Sequence, residues 1–263
     1  MSTPRVLILR APGINCERET FDAFERAGGA PEYVHVQKLV ERPSLLDDYS
    51  ILAFPGGFAY GDDIAAGRVL ANQLRSRAGD DLLGFVDRGG LVLGICNGFQ
   101  ALVRLGLLPR AENGQGLVQQ ATLTHNLSDH YECRWVTLEA PPNRCVFLED
   151  GLTIRCPAAH GEGYLQCKDE TFAKLLRDEG FAAFLYVDAN GNPTTEYPAN
   201  PNGSPHGLAG LTDRTGRVLG MMPHPDRAYL PIHLPNWRRE GLAESADGFE
   251  IFAAMVRVAR AEG

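Results

Sequence analysis

The chain has 263 residues, enough for one large domain or two small ones and for a substantial hydrophobic core. Hydrophobic residues make up 44% and charged residues 22%, the balance of a soluble globular protein rather than a disordered one. With 25 Lys plus Arg against 33 Asp plus Glu, the formal charge of −8 has the wrong sign for a generic binder of nucleic acid or anionic membrane. No apolar run approaches the roughly 18 residues of a membrane span. Ser2-Thr3-Pro4 leads directly into Val6-Leu7-Ile8-Leu9 without the pattern of a secretory leader, so a cytoplasmic location is expected. The six cysteines contain no C-x-x-C pair, and in a reducing compartment they read as free thiols; no metal site is expected.

Arg5 to Arg10 is a β-branched and leucine-rich run stopped by Ala11-Pro12-Gly13, which predicts a buried strand. A helix follows, capped by Asn15, with Phe21, Phe24 and Ala27 at helical spacing and Gly28-Gly29 as its stop. Tyr33 to Val36 and Ile51 to Phe54 read as the next strands, the latter cut off by Pro55-Gly56-Gly57. A helix over Arg68 to Asp87, a buried strand over Leu91 to Ile95 and a helix over Asn97 to Leu105 complete an alternating first half. That alternation predicts a doubly wound, mostly parallel α/β sheet, whose ligands sit at the C-terminal strand ends. Between about Gly116 and Leu211 the pattern changes to β-rich pieces with Pro/Asn/Gly loops at Ala140 to Arg144 and Asn190 to Ser204, which predicts antiparallel additions. A last strand over Arg217 to Met222 and a closing helix over Asp247 to Ala261, with Phe249, Phe252, Ala253, Val256 and Ala259 on one side, finish the chain. Without repeat, low-complexity tract or linker, residues 1–263 read as a single domain.

Three strand ends carry chemistry. Gly94-Ile95-Cys96-Asn97-Gly98 is a G-x-C-x-G between a buried strand and a helix, the pattern of a nucleophile elbow: a tight turn projects the side chain, small neighbours prevent clashes, and the helix N-terminus favours the thiolate. The glycine turn after Pro55 opens on the same edge. Backbone N–H groups of that turn and the N–H of Asn97 are the expected halves of an oxyanion hole. Met222-Pro223-His224-Pro225-Asp226 ends the last strand with a histidine fixed between prolines and an acid two residues on, suited to orient the ring toward Cys96. No phosphate-binding glycine motif is present, so an ATP requirement would have to be met by another chain. From these residues alone, a cysteine hydrolase that needs no partner remains open.

The strings Pro55-Gly-Gly-Phe-Ala-Tyr-Gly-Asp-Asp63, Gly94-Ile-Cys-Asn-Gly-Phe-Gln100, Cys133-Arg-Trp-Val136, Ala159-His-Gly-Glu-Gly163, Asn200-Pro-Asn-Gly-Ser204 and Gly220-Met-Met-Pro-His-Pro-Asp226 resemble the class I (triad) glutamine amidotransferases, in particular the glutaminases of de novo purine synthesis. The resemblance implies a flavodoxin-like fold with antiparallel additions and a triad of Cys96, His224 and Asp226 that hydrolyses glutamine to glutamate and ammonia. It implies that Gly57 and Asn97 line the oxyanion hole, that Gln100 lies at the glutamine pocket, and that Arg134 contacts the α-carboxylate. Ammonia would pass to a synthetase subunit that uses ATP and Mg to convert formylglycinamide ribonucleotide to its amidine, with a small auxiliary subunit in the complex and no cofactor in this chain. His160 and Glu162 fall outside the triad and are expected to face that partner. The family's usual acid after His-Pro is glutamate, so Asp226 is one methylene short and is expected to need the backbone or a water to reach His224.

Overall fold

β1 (Arg5–Arg10) buries Val6, Leu7, Ile8 and Leu9 completely, as a strand covered on both faces requires. The computed structural model describes residues 2–112, 116–242 and 244–263; the remaining five positions lie outside the described residues. α1 (Glu17–Arg26) starts one residue later than the sequence implies: Cys16 occupies the N-cap position, and the Asn15 side chain turns to the Cys16 thiol at 3.3 Å instead of capping. β2 (Ala30–His35) is longer than the expected strand, and Val36 opens a short unanticipated helix, α2 (Val36–Glu41). The switch occurs there because the His35 ring caps the new helix, Nδ1 accepting from the Gln37 N–H at 3.2 Å.

β3 (Ile51–Phe54), α3 (Arg68–Asp87), β4 (Leu91–Ile95) and α4 (Asn97–Leu105) follow as the periodicity predicts. The second half supplies β5 (Ala121–Thr124), β6 (Glu132–Glu139), β7 (Thr153–His160), β8 (Tyr164–Cys167), α5 (Glu170–Asp178), β9 (Ala182–Val187), β10 (Leu208–Thr212) and β11 (Val218–Met221). The short α6 (Trp237–Glu240) precedes α7 (Phe249–Glu262). α7 buries Ile251, Phe252, Met255, Val256 and Ala259, whereas Phe249 and Ala253 of the expected stripe are only half-buried.

Among the described residues nine strands form one sheet in the order β2-β1-β3-β4-β11-β10-β9-β6-β7, and β5 and β8 form a separate antiparallel pair. The five strands from β2 to β11 are parallel, in the flavodoxin-like order, and the four beyond them are antiparallel. Chain direction across the sheet reverses after β2, so right-handed crossovers put α1 on one face and α3 and α4 on the other. α7 joins α1, where Phe24 and Phe252 meet edge to face at 5.0 Å.

Register brings three strand ends together. Phe54 of β3 pairs with Gly94 of β4, and Gly94 pairs with Gly220 of β11, so the turns after β3, β4 and β11 emerge side by side. α4 then sits hard on β3: a Cβ at Gly98 would lie 1.9 Å from the Phe54 carbonyl oxygen. Gly98→Ala is therefore expected to cost about 3 kcal/mol of stability, because the obstacle is backbone and cannot rotate away. Urea unfolding followed by circular dichroism checks this, and an unchanged midpoint would mean that α4 can shift freely.

Candidate active site

Cys96 joins β4 to α4 with φ 51° and ψ −106°, outside the regions ordinary for a residue with a side chain. Its N–H donates to the Met221 carbonyl at 2.8 Å and its carbonyl accepts from the Gln100 N–H at 3.0 Å, so the turn is held from β11 and from the first turn of α4. Sγ lies 3.7 Å from the Ala159 carbonyl oxygen, at the wall of a cavity of about 190 Å³. The glycines around it are steric necessities: a Cβ at Gly94 would meet Leu102 Cδ1 at 2.4 Å, and one at Gly56 would meet His224 Cε1 at 2.7 Å.

His224 follows β11 on the neighbouring turn, its N–H donating to the Pro157 carbonyl at 2.7 Å. Its ring Nδ1 donates to Asp226 Oδ1 at 3.1 Å, and both residues are fully enclosed. The shorter acid thus reaches the ring directly, against the expectation that backbone or water would bridge the gap. It does so with support from α1: the Thr20 hydroxyl donates to the other carboxylate oxygen, Oδ2, at 3.3 Å, sharing its proton with the Cys16 carbonyl at 2.9 Å. Burial works against the imidazolium, but the charges of Asp226 and Cys96 and hydrogen bonds to Asp226 and Cys16 outweigh it, holding the His224 pKa well above the ordinary histidine value. The Cys16 thiol receives Arg227 Nη2 at 2.9 Å and lies within 4.8 Å of the His224 and Asp226 ligand atoms. Neither Thr20 nor Cys16 was legible as a site residue; both sit in the first α1 segment, distant in sequence, with no motif to mark them.

Gly57 lines the cavity, and Asn97 contributes the first N–H of α4, which has no acceptor inside its own helix. The Asn97 side chain has a second task. Its Oδ1 accepts from the Ala59 N–H at 2.9 Å, while Nδ2 donates to Asp62 Oδ1 at 3.1 Å and Gln100 Oε1 at 2.9 Å, tying the glycine turn to the elbow. Gln100 Nε2 in turn donates to the Glu162 carbonyl at 2.6 Å. Asp62, unassigned by the sequence reading, lines the same cavity, and burial raises its carboxyl pKa, reinforced by the Glu162 charge and opposed by bonds from Gly67 and Asn97.

Two expectations change. Arg134 is not among the described cavity-lining residues: Tyr131 lines the cavity, and alternation along β6 sends Cys133 and its partner Ala159 to that face and Arg134 to the other. There Nε donates to Glu132 Oε2 at 2.9 Å and the guanidinium stacks over Tyr197 at 4.6 Å. His160 is buried rather than presented to a partner, and it lines the cavity along with Glu162. Its Nδ1 is 3.1 Å from Asn126 Oδ1, and burial, helped by the His224 charge, pushes its pKa down to about 3. The residue types of Ala159 to Gly163 announced a functional string, but only the pairing of β7 beside the elbow shows that it walls the cavity.

A family model described as a CobB/CobQ-like glutamine amidotransferase domain matches residues 3–258. The chain is 45% identical over 99% of both lengths to the phosphoribosylformylglycinamidine synthase subunit PurQ of Dehalococcoides mccartyi, and 36% identical over 96% of both to that of Archaeoglobus fulgidus. A chain of the PurLQS structure from Thermotoga maritima superimposes with a TM-score of 0.71 and 30% identity, covering 97% of this chain and 99% of that one. Matched end to end in sequence and fold, the chain belongs to the glutamine amidotransferase family, among the PurQ subunits of phosphoribosylformylglycinamidine synthase.

Proposed function

We propose that the chain is the glutaminase subunit of phosphoribosylformylglycinamidine synthase, hydrolysing glutamine and passing ammonia to a synthetase subunit in de novo purine synthesis. The observation that carries the chemistry is a positive-φ cysteine on an elbow beside a buried His224–Asp226 pair. Cys96 attacks the side-chain amide carbon as the thiolate, and the carbonyl electrons move onto oxygen, where the N–H groups of Gly57 and Asn97 receive them. The tetrahedral species collapses as the C–N bond breaks and His224 gives its proton to the departing nitrogen, leaving ammonia and a glutamyl thioester. His224 then takes a proton from water as that oxygen attacks the thioester carbon; the C–S bond breaks, glutamate leaves, and the thiolate and imidazolium are restored.

ATP and Mg belong to the synthetase in this reading, and a small auxiliary subunit completes the assembly. Likeness to a chain of the Thermotoga maritima PurLQS structure supports a multisubunit setting. Among the described residues no helix is long and apolar enough to cross a membrane. A cytoplasmic location, with no nucleic-acid partner, fits the acidic composition. Because released ammonia is useful only when its acceptor is activated, the lone chain works poorly and the partner raises turnover.

Cys96→Ala is expected to abolish glutamine-dependent synthesis in the assembled enzyme, while synthesis from added ammonia continues. Parallel loss of both in an intact complex would remove Cys96 from the glutaminase step. Glutamate release by the wild-type chain, measured with and without synthetase, ATP and acceptor, tests the coupling; full activity of the lone chain would sink it.

The carboxylate geometry generates a further expectation. Asp226→Asn removes the charge that keeps His224 protonated, so the alkaline limb of kcat/KM should move to lower pH, with kcat falling by a hundredfold or more and KM changing little. Thr20→Val should lower kcat about tenfold in the same direction, and Thr20→Ser should restore it. Steady-state pH profiles decide both. An unmoved limb would detach the acid from the histidine.

A further inference from the structure

The loop between β1 and α1 grips the site from behind. Its Gly13 carbonyl accepts from the Phe58 N–H at 2.9 Å, and the Gly56 carbonyl accepts from the Asn15 and Cys16 N–H groups at 3.3 and 3.2 Å, so the glycine turn is held on both sides of Gly57. The Cys16 carbonyl receives the Thr20 N–H at 3.2 Å and the Thr20 hydroxyl at 2.9 Å, and through that hydroxyl it reaches Asp226. The Cys16 side chain lies against the histidine. A Cβ placed on Gly56 would meet His224 Cε1 at 2.7 Å, Cys16 Sγ at 3.3 Å and Cys96 Cβ at 3.5 Å, so the imidazole and both cysteines converge on one backbone point.

Cys16 is not placed as a second nucleophile. It is 1% exposed and does not belong to the described lining of the cavity that Cys96 shares. Its sulfur is engaged elsewhere, donating to Asn15 Oδ1 at 3.3 Å and accepting from Arg227 Nη2 at 2.9 Å. Arg227 is pinned to the histidine turn in its own right, its N–H donating to the His224 carbonyl at 3.2 Å. The sulfur thus joins the N-cap of α1 to the turn that carries the imidazole, within 4.8 Å of a ring nitrogen. Such a second support has a purpose: a ring bonded to Asp226 at one nitrogen can still pivot about that bond, and small errors of aim at a reacting group are costly.

We infer that Cys16 is a positioning residue, its sulfur, tethered by Arg227, holding the His224 ring at the angle that serves Cys96. The inference rests on the glutaminase reading above and extends the machinery to the N-cap of α1. The titratable and charged groups that face His224 are Cys96 from the elbow, Cys16 from α1, His160 from β7, Tyr131 from the segment before β6, and Asp226 and Arg227 from its own turn. Of these, Asp226, Cys96 and Cys16 favour the imidazolium, so loss of the Cys16 sulfur makes His224 release its proton at lower pH.

Cys16→Ala in the assembled enzyme should lower kcat for glutamine about tenfold with little change in KM and bring the alkaline limb of kcat/KM down by about half a pH unit. Cys16→Ser, which keeps a hydrogen-bonding group, should recover much of the loss. Synthesis from added ammonia reports whether each complex has assembled. In the full chain without substrate, iodoacetamide alkylation of Cys96, followed by mass mapping, reads the same thiol and imidazole without turnover, and its onset in Cys16→Ala should move to higher pH. An assembled Cys16→Ala complex with kcat and limb unmoved, or with a loss confined to KM, overturns the inference. Should that variant fail to assemble, Arg227→Met decides. A guanidinium acting on the ring only as a like charge would raise the limb on removal; acting through the sulfur, its loss lowers kcat and the limb, and a raised or unmoved limb overturns the inference. If the wild type turns over no glutamine, the glutaminase reading falls by itself, and an alkylation onset that is the same in wild type and Cys16→Ala overturns the inference separately.

Discussion

The backbone of Cys96 is the constraint on which the surrounding structure depends. A non-glycine residue at φ 51° and ψ −106° is strained by about 1–3 kcal/mol, and it persists only where neighbours over-determine it. Here β4 enters the turn fully buried, β11 holds the cysteine N–H, and α4 is driven against β3 through Gly98. The core that fixes these elements is the ordinary apolar core of a doubly wound sheet. Its rigidity is spent on aiming one thiol.

The second dependence is electrostatic. Asp226 is fully buried, and a buried carboxylate without partners is expensive, so each of its oxygens must be met. His224 meets one and Thr20 the other, which makes α1 a support of this buried acid although it lies some two hundred residues away in sequence. This arrangement also explains how an aspartate, one methylene shorter than the glutamate that the resemblance implies, reaches the ring. The short carboxylate stays close to its own backbone, and the histidine and α1 come to it.

The cavity wall follows from the same sheet edge. The segment between β3 and α3 takes positive φ at Tyr60, Gly61, Asp62 and Gly67, and Asn97 anchors it from the elbow side. Across the cavity, the end of β7 and the turn after it bring His160 and Glu162 to Gln100. A parallel half thus carries Cys96 and His224, and the antiparallel half closes the cavity beside them.

The sequence by itself determined whatever rests on local chemistry. Buried-strand runs, helical spacing and glycine turns gave the alternating parallel half, and G-x-C-x-G and Pro-His-Pro-Asp marked Cys96 and His224 as candidate site residues, because those turns tolerate few other residues. It misjudged the His35 to Val36 boundary, where a six-residue helix is too short for periodicity to show. Tertiary structure alone decided the rest. Strand alternation turned Arg134 away from the cavity, the pairing of β6 with β7 moved His160 and Glu162 into it, and helix packing set Thr20 and Cys16 against the His224–Asp226 pair. Those residues act through neighbours far away in the chain. Their roles are contacts across the fold, and no local pattern of residue types encodes which face of a strand meets which turn.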